Sequence, residues 1–315
     1  MRAFGFESTT DDVLEGISLA GKTVLVTGAT AGLGIETSRS LAAAGADVVM
    51  LGRNQEVLQQ EAEALRGMSL PGQIATLSID LASLDSVREA ADAILESYPR
   101  IDILINNAGV MACPLMRTAD GFEMQFGTNH LGHFLLTCLI MPALLAGAPA
   151  RIINLSSSGH KLSNVNLDDP NYEQRDYEKW VAYGESKTAN ALFSVGLDQR
   201  LKSQGVRSLA VHPGVIMTKL SRHLTEADIE NLMNSAPEGE SLDWKNVEQG
   251  AATSVWAATA PELADKGALF LENCQIAVPA EPGTGGGVED YALDPQGAEQ
   301  LWALSEQLVG QRFEF

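Results

Sequence analysis

The stretch Lys22-Thr23-Val24-Leu25-Val26-Thr27-Gly28-Ala29-Thr30-Ala31-Gly32-Leu33-Gly34 decides the fold. Val24, Leu25 and Val26 form a short apolar run rich in β-formers, the pattern of a strand covered on both faces. Glycines follow at 28, 32 and 34, and Ile35 to Ala44 carries a helical pattern closed by Gly45. Strand, glycine turn and helix make the first half of a βαβ unit. A turn this tight sets bare backbone N–H groups at a helix N-terminus, where the dipole favours an anion such as a pyrophosphate. The same spacing also serves a strand-to-helix connection with no ligand, so the surroundings must decide.

Outward from this unit, strands and helices alternate. Ala46–Leu51 reads as a strand and Gln55–Leu65 as a helix. Ile74–Ile79 is a strand, and Ser83 caps a helix running to about Tyr98, where Pro99 ends it. Ile101–Ile105 is the fourth strand. Helices are expected near 119–126 and over 130–146, then a strand over Arg151–Leu155. A long helix follows over Tyr183–Ser203, a strand over Arg207–Val211 and a helix over Asn246–Ala260. Ala268–Leu271 is a short last strand and Gln296–Val309 a terminal helix. This rhythm predicts an α/β fold, a doubly wound parallel sheet with helices on both faces. Residues 217–245 and 278–295 break it; the first reads as a substrate lid and the second, with Gly283-Thr284-Gly285-Gly286-Gly287, as a surface loop.

The 315 residues are 45% hydrophobic with a formal charge of −20. Such a polyanion repels nucleic acid and anionic lipid, so neither is expected as a partner. Cys113, Cys138 and Cys274 are odd in number and far apart, which fits a reducing compartment and no metal cluster. The N-terminal residues lack the apolar core of a leader and turn acidic at Asp11 and Asp12. Leu131–Ala150 is the most apolar segment, but with His133 and Pro142 it reads as a core helix, not a membrane span. His130 and His133 share a helix face without a third ligand nearby, so no metal site is expected. Met111, Met116, Met124 and Met217 fill apolar gaps or line a pocket.

Several residues fall at carboxyl ends of strands, where open parallel sheets bind ligands. Strand two ends in Gly52-Arg53-Asn54, with no carboxylate to hold a ribose 2′-hydroxyl and an arginine able to pair with a 2′-phosphate. Asp80 ends strand three within reach of an adenine. Asn106-Asn107-Ala108-Gly109 ends strand four and Ser156-Ser157-Ser158 ends strand five; both are also ordinary turn chemistry. Asn129 opens an apolar helix, where capping alone would account for it. Tyr183 and Lys187 are one helical turn apart. An ammonium about 4 Å from the phenol, at an effective dielectric of ~20, supplies the roughly 4 kcal/mol that lowers a tyrosine from about 10 to about 7. The pair is thus expected to exchange a proton near neutral pH.

Together these pieces resemble the short-chain dehydrogenase/reductase family. The carriers are Thr27-Gly28-Ala29-Thr30-Ala31-Gly32-Leu33-Gly34, Asp80-Leu81, Asn106-Asn107-Ala108-Gly109, Asn129, Ser157, Tyr183-Gly184-Glu185-Ser186-Lys187, and Pro213-Gly214 with Ile216 and Thr218. Gly127–Phe134 and Ser186–Asn190 are similar to the retinol-dehydrogenase-like and WW-domain-oxidoreductase-like branch. The resemblance implies a Rossmann-type sheet of seven parallel strands in the order 3-2-1-4-5-6-7. It implies one domain over 21–275, with an N-terminal extension (1–20), a C-terminal extension (276–315) and an insertion over 160–182. Tyr183 would be the acid/base, Ser157 would orient the substrate oxygen, Lys187 would lower Tyr183 and hold the nicotinamide ribose, and Asn129 would hold a relay water. Gly28, Thr30, Ala31, Gly32, Leu33, Gly34, Arg53, Asp80, Leu81, Asn107, Ala108, Gly109, Tyr183, Lys187, Pro213, Gly214, Ile216 and Thr218 would contact the cofactor. The expectation is a cytoplasmic NADP(H)-dependent oxidoreductase interconverting a small apolar alcohol and ketone. NAD(H) is the alternative, because Ala31 stands where many NADP-binding members carry a base. Pairing into a homodimer or homotetramer through the helices of Asn129 and Tyr183 is also implied. Two other classes are disfavoured: a nucleotide sensor would have lost Tyr183 and Lys187, and a sugar-nucleotide epimerase would need glycine at position 31.

Overall fold

The computed structural model describes residues 4–233, 244–281 and 286–315. Its centre is one sheet of β1 (Thr23–Thr27), β2 (Asp47–Gly52), β3 (Ile74–Ser78), β4 (Ile103–Asn106), β5 (Ala150–Leu155), β6 (Val206–His212), β7 (Leu269–Glu272) and β8 (Gln275–Ile276). The order is β3-β2-β1-β4-β5-β6-β7-β8. The first seven strands are parallel, in the order the family resemblance implied. The eighth is an addition: Asn273 and Cys274, both with left-handed backbone, fold two residues back antiparallel on β7.

Alternation within the strands builds two cores. Val24, Val26, Val48, Met50, Ile103 and Ile105 face one way. They are covered by α1 (Thr10–Leu14), α2 (Leu33–Ala43), α3 (Gln55–Arg66) and, beyond the lid, α10 (Val247–Thr259). Leu25, Val49, Leu51, Leu104 and Ile152 face the other way. There they meet α4 (Leu84–Ser97), α6 (Gly132–Leu139), α8 (Lys179–Leu201) and α11 (Pro295–Val309). The N-terminal stretch is docked: Val13, Leu14 and Leu19 belong to the first core, and the Thr10 hydroxyl bonds Glu36 of α2. Ser83 caps α4 as expected, its side chain accepting from Ser86 N–H.

Three elements differ from the sequence reading. The helix expected near 119–126 shrinks to α5 (Met124–Phe126), because Arg117 and Glu123 pair across a turn at Gly121. The helix expected over 130–146 stops at Ile140, where Pro142 restarts it as α7 (Met141–Ala146). Asn129 caps nothing. It lies within a wide π turn, Gly127–Leu131, between α5 and α6. The long helix α8 starts four residues early, at Lys179, and is buried on nearly every side.

The lid expected over 217–245 is described in part. Lys219–His223 is a tight turn, α9 spans Glu226–Met233, and Val215 pairs with Trp244; residues 234–243 lie outside the described residues. So do Gly283, Thr284 and Gly285 of the glycine-rich loop. No helix among the described residues is long and apolar enough to cross a membrane.

Candidate active site

The carboxyl ends of β1 to β6 open on one cavity of about 900 Å³. Gly28, Thr30, Ala31, Leu33, Gly34, Arg53, Asp80, Leu81, Asn107, Ala108 and Gly109 line it from one half of the sheet. Ser157, Tyr183, Lys187, Pro213, Gly214, Ile216 and Thr218 line it from the other. Gly32 and Asn129, also singled out in the sequence, stand outside the lining: Gly32 backs onto the Thr218 methyl and Asn129 lies fully buried behind the wall.

Close approach explains the glycine turn. Gly28 has φ +69°, and a Cβ there would fall 2.7 Å from the Ala108 Cα. At Gly34 a Cβ would fall 2.4 Å from the Gly28 carbonyl oxygen, so α2 could not pack against the turn. No side chain caps the start of α2. Its free N–H groups therefore face the cavity mouth with the positive end of the helix dipole.

Thr27 joins this turn to the rest of the site. Its hydroxyl oxygen accepts from the N–H groups of Asn107 and Ala108, each at 3.0 Å, and lies 2.8 Å from His133 Nε2. With two donors already on it, the hydroxyl gives its hydrogen to Nε2. That leaves the hydrogen of His133 on Nδ1, which is 2.9 Å from the Asn129 carbonyl oxygen. His133 is therefore a strut, not half of a metal pair. His130 bonds Ser305 of α11 at 2.7 Å instead.

Asn129 spends its whole amide on protein. Its Oδ1 accepts from Val110 N–H at 2.8 Å, and its Nδ2 donates to the Val110 carbonyl and the Ser186 hydroxyl, each at 2.9 Å. The side chain thus splices the loop after β4 to α8, one residue from Lys187.

Tyr183 and Lys187 share one face of α8, as their spacing requires. Lys187 Nζ donates to the Leu155 carbonyl at 3.0 Å and lies 5.7 Å from the Tyr183 ring centroid. The near ammonium does not lower the phenol as its spacing predicts: burial dominates and pushes Tyr183 up to about 12, the hydrogen bond from Ser157 pulling against it. Burial also draws Lys187 down to about 8. With protein groups alone, the pair is a protonated phenol beside a weakened base.

Of the three serines, Ser156 donates to the Lys187 carbonyl at 2.7 Å, and Ser158 donates through its N–H to His212 Nδ1 at 3.1 Å. Ser157 alone of the three bonds Tyr183. Ser157 Oγ also accepts the Gly159 N–H at 3.1 Å.

The cavity's two ends differ. At the β2 end Arg53 is joined by Arg222 from the turn Lys219–His223; burial, and after it the Arg53 charge, hold Arg222 below its ordinary value. At the Tyr183 end the lining is largely apolar, with Trp180, Leu224, Ile229 and Trp244 around Asp228, which Lys179 pairs. The sequence reading missed Arg222, Trp180 and Trp244. Trp180, three residues before Tyr183 on the same helix, had a usable signal; the other two stand on stretches after β6 that carry no strand or helix pattern in the sequence. The insertion over 160–182 is fastened to α8 by Arg175, whose guanidinium forks onto Glu185 at 2.6 and 2.7 Å. Lys179 Nζ in turn holds Asp228 of α9 at 2.6 Å.

This chain's own α11 packs on α8 and touches α6. Trp302 packs edge-on to Phe134 at 5.0 Å, and Arg200 forks onto Glu299.

The comparisons agree with this geometry. The chain belongs to the short-chain dehydrogenase family: the family model described as short chain dehydrogenase matches residues 22–229. It is an alcohol/carbonyl oxidoreductase of the retinol-dehydrogenase-like branch. Human retinol dehydrogenase 13 is 43% identical over 296 residues, covering 93% of this chain and 86% of that protein. A solved structure of an uncharacterised Mycobacterium paratuberculosis protein is 36% identical with a TM-score of 0.75, covering 98% of this chain and 100% of that one. The Pseudomonas aeruginosa RhlG/NADP active-site complex is 29% identical with a TM-score of 0.64, covering 81% and 95%.

Proposed function

We propose that the protein is an NADP(H)-dependent oxidoreductase that interconverts an apolar, moderate-size alcohol and its carbonyl, with Tyr183 as the proton carrier. The observation carrying this reading is the joint placement of Ser157, Tyr183 and Lys187 in one cavity with an apolar end and a cationic end. A dinucleotide fits the residues present: the uncapped start of α2 would take its pyrophosphate, and Arg53 a 2′-phosphate. When bound, the nicotinamide supplies or accepts the hydride. The chain does the rest. Ser157 holds the substrate oxygen through its hydroxyl. Tyr183, protonated at neutral pH, gives its Oη proton to that oxygen in reduction and takes it back in oxidation. Lys187 stands ready to hold a ribose hydroxyl from the same helix face. Trp180 and Trp244 exclude water from the apolar end. Asn129 serves by fixing the wall; its side chain has no hydrogen left for a relay water.

The three cysteines, all buried and unpaired, support a reducing compartment such as the cytoplasm. Self-association as a dimer or tetramer through the helices of Asn129 and Tyr183 would use the faces of α6 and α8 that α11 leaves open. The domain limits 21–275 remain our division of the chain.

The test is a screen of steroid, retinoid and aryl ketones with NADPH and NADH, followed at 340 nm in wild type, Tyr183→Phe and Arg53→Ala. We expect turnover with NADPH, none in Tyr183→Phe with NADPH affinity kept, and a lost NADPH advantage in Arg53→Ala. A wild type that prefers NADH, or an active Tyr183→Phe, would overturn the reading.

A further inference from the structure

Ser157 opens a tight helical turn, Ser158–Leu162, whose third residue is His160. The His160 imidazole is fully buried and both its nitrogens are engaged. Nδ1 lies 2.6 Å from the Ser157 carbonyl oxygen, and Nε2 lies 3.2 Å from the backbone N of Glu289. A carbonyl can only accept and a backbone N–H can only donate. The hydrogen therefore sits on Nδ1 and Nε2 is bare. An imidazolium would set N–H against N–H, and burial holds the ring neutral, down to about 4.

The rest of the turn is gripped from two sides. The Tyr291 hydroxyl donates to the His160 carbonyl at 2.8 Å, and Thr188 Oγ1 lies 3.1 Å from the same oxygen while donating to the Ser163 carbonyl at 2.7 Å. The imidazole packs on Phe270 of β7 at 4.7 Å. Gly159 lies so close to Tyr183 that a Cβ there would fall 2.8 Å from a ring carbon. The catalytic turn is thus clamped between α8 and the chain segment Val288–Leu293, far along the sequence.

We propose that His160 is a positioning residue for Ser157, anchored by the backbone N–H of Glu289, so that the segment Val288–Leu293 belongs to the active-site framework. The proposal rests on the role given to Ser157 above. Ser157 holds its substrate oxygen through one rotatable hydroxyl, and its main chain must be fixed for that hydroxyl to stay beside Tyr183. A shift of about 1 Å in a reacting group is worth on the order of 100-fold in rate. Losing the anchor should therefore lower kcat while the adenine end of the cavity, which the turn does not touch, binds NADPH as before.

Glu289 has φ −71°, a value proline adopts without strain. Glu289→Pro removes the anchoring N–H and leaves His160 in place, whereas Glu289→Ala keeps the N–H and removes only the carboxylate. His160→Phe loses both hydrogen bonds and keeps a ring on Phe270. His160→Asn keeps a donor where Nδ1 was. The probe is all-trans-retinal with NADPH, read alongside NADPH affinity, Tm and the 15N resonances of the imidazole nitrogens. We expect Glu289→Pro to lose on the order of tenfold in kcat with KM for NADPH within about twofold, Glu289→Ala to stay near wild type, and His160→Asn, which keeps the Nδ1 donor but cannot reach the Glu289 N–H, to fall with Glu289→Pro and less far than His160→Phe. In wild type the spectra should show Nδ1 protonated and Nε2 bare. Three outcomes each overturn the proposal: a protonated Nε2, wild-type kcat in both Glu289→Pro and His160→Phe, or equal losses in Glu289→Pro and Glu289→Ala. An active Tyr183→Phe would instead overturn the reaction assigned to the site, and the nitrogen spectra would still report on the anchor.

Discussion

Tyr183 and Lys187 show how a side chain's surroundings rewrite its chemistry. Four residues of spacing placed them on one face, but only the packed structure sets their proton affinities. Burial raises the phenol to about 12 and lowers the ammonium to about 8. The two directions have opposite consequences for the two directions of reaction. Reduction needs a phenol that holds a proton, and it holds one throughout the neutral range. Oxidation needs a base, which becomes more available as pH rises. We expect the oxidation rate to climb from pH 7 to pH 9.5 while the reduction rate stays level from pH 6 to pH 8, in steady-state assays at saturating cofactor. An oxidation rate that peaks below pH 7 would contradict these affinities. None of this was readable from the spacing, because desolvation depends on residues as distant in sequence as Leu155 and Gly159.

Among the elements, the sheet was the legible part. Its seven parallel strands follow from apolar runs, and their order from the family resemblance alone. The π turn at Gly127–Leu131 was not legible. Asn129 looks like a cap in a local reading, since capping is what asparagine offers its neighbours. What wins is tertiary: Val110 and Ser186 take all three of its hydrogen-bonding contacts. The break at Ile140 was visible in Pro142 but was passed over within an apolar run. Removing the amide with Asn129→Ala would leave the Val110 N–H and carbonyl buried without that partner. That should cost about 2–6 kcal/mol of stability in urea unfolding, since orphaned buried groups lose about 1–3 kcal/mol each. Turnover should fall as well, because the loop after β4 would come loose from α8. A stability change under 1 kcal/mol would mean the π turn is held by something else.

At the scale of the whole molecule, the histidines act together. Burial lowers His130 and His212 to about 3, and His133 and His160 to about 4. Unfolded, each would titrate near 6.5. Between those values the unfolded chain binds protons that the folded chain refuses, so stability is full above about pH 6.5 and falls as pH drops toward 4, by about 1.4 kcal/mol per pH unit for each proton. Glu123, raised by burial, pulls the other way but is one group against four. Acid also shrinks the net charge, yet at 0.1 M salt that repulsion is screened beyond about 10 Å. Tm should therefore decline steadily from pH 7 to pH 5 in calorimetry; a flat profile would mean the buried rings protonate in place. The Arg53–Arg222 end of the cavity carries one more consequence. A coenzyme bearing several negative charges must cross the field of a body with a formal charge of −20 before it meets those two guanidinium groups. Its diffusional capture should quicken as dilute salt is first added and slow again once the ions mask the arginines, so stopped-flow association rates would trace a hump against ionic strength.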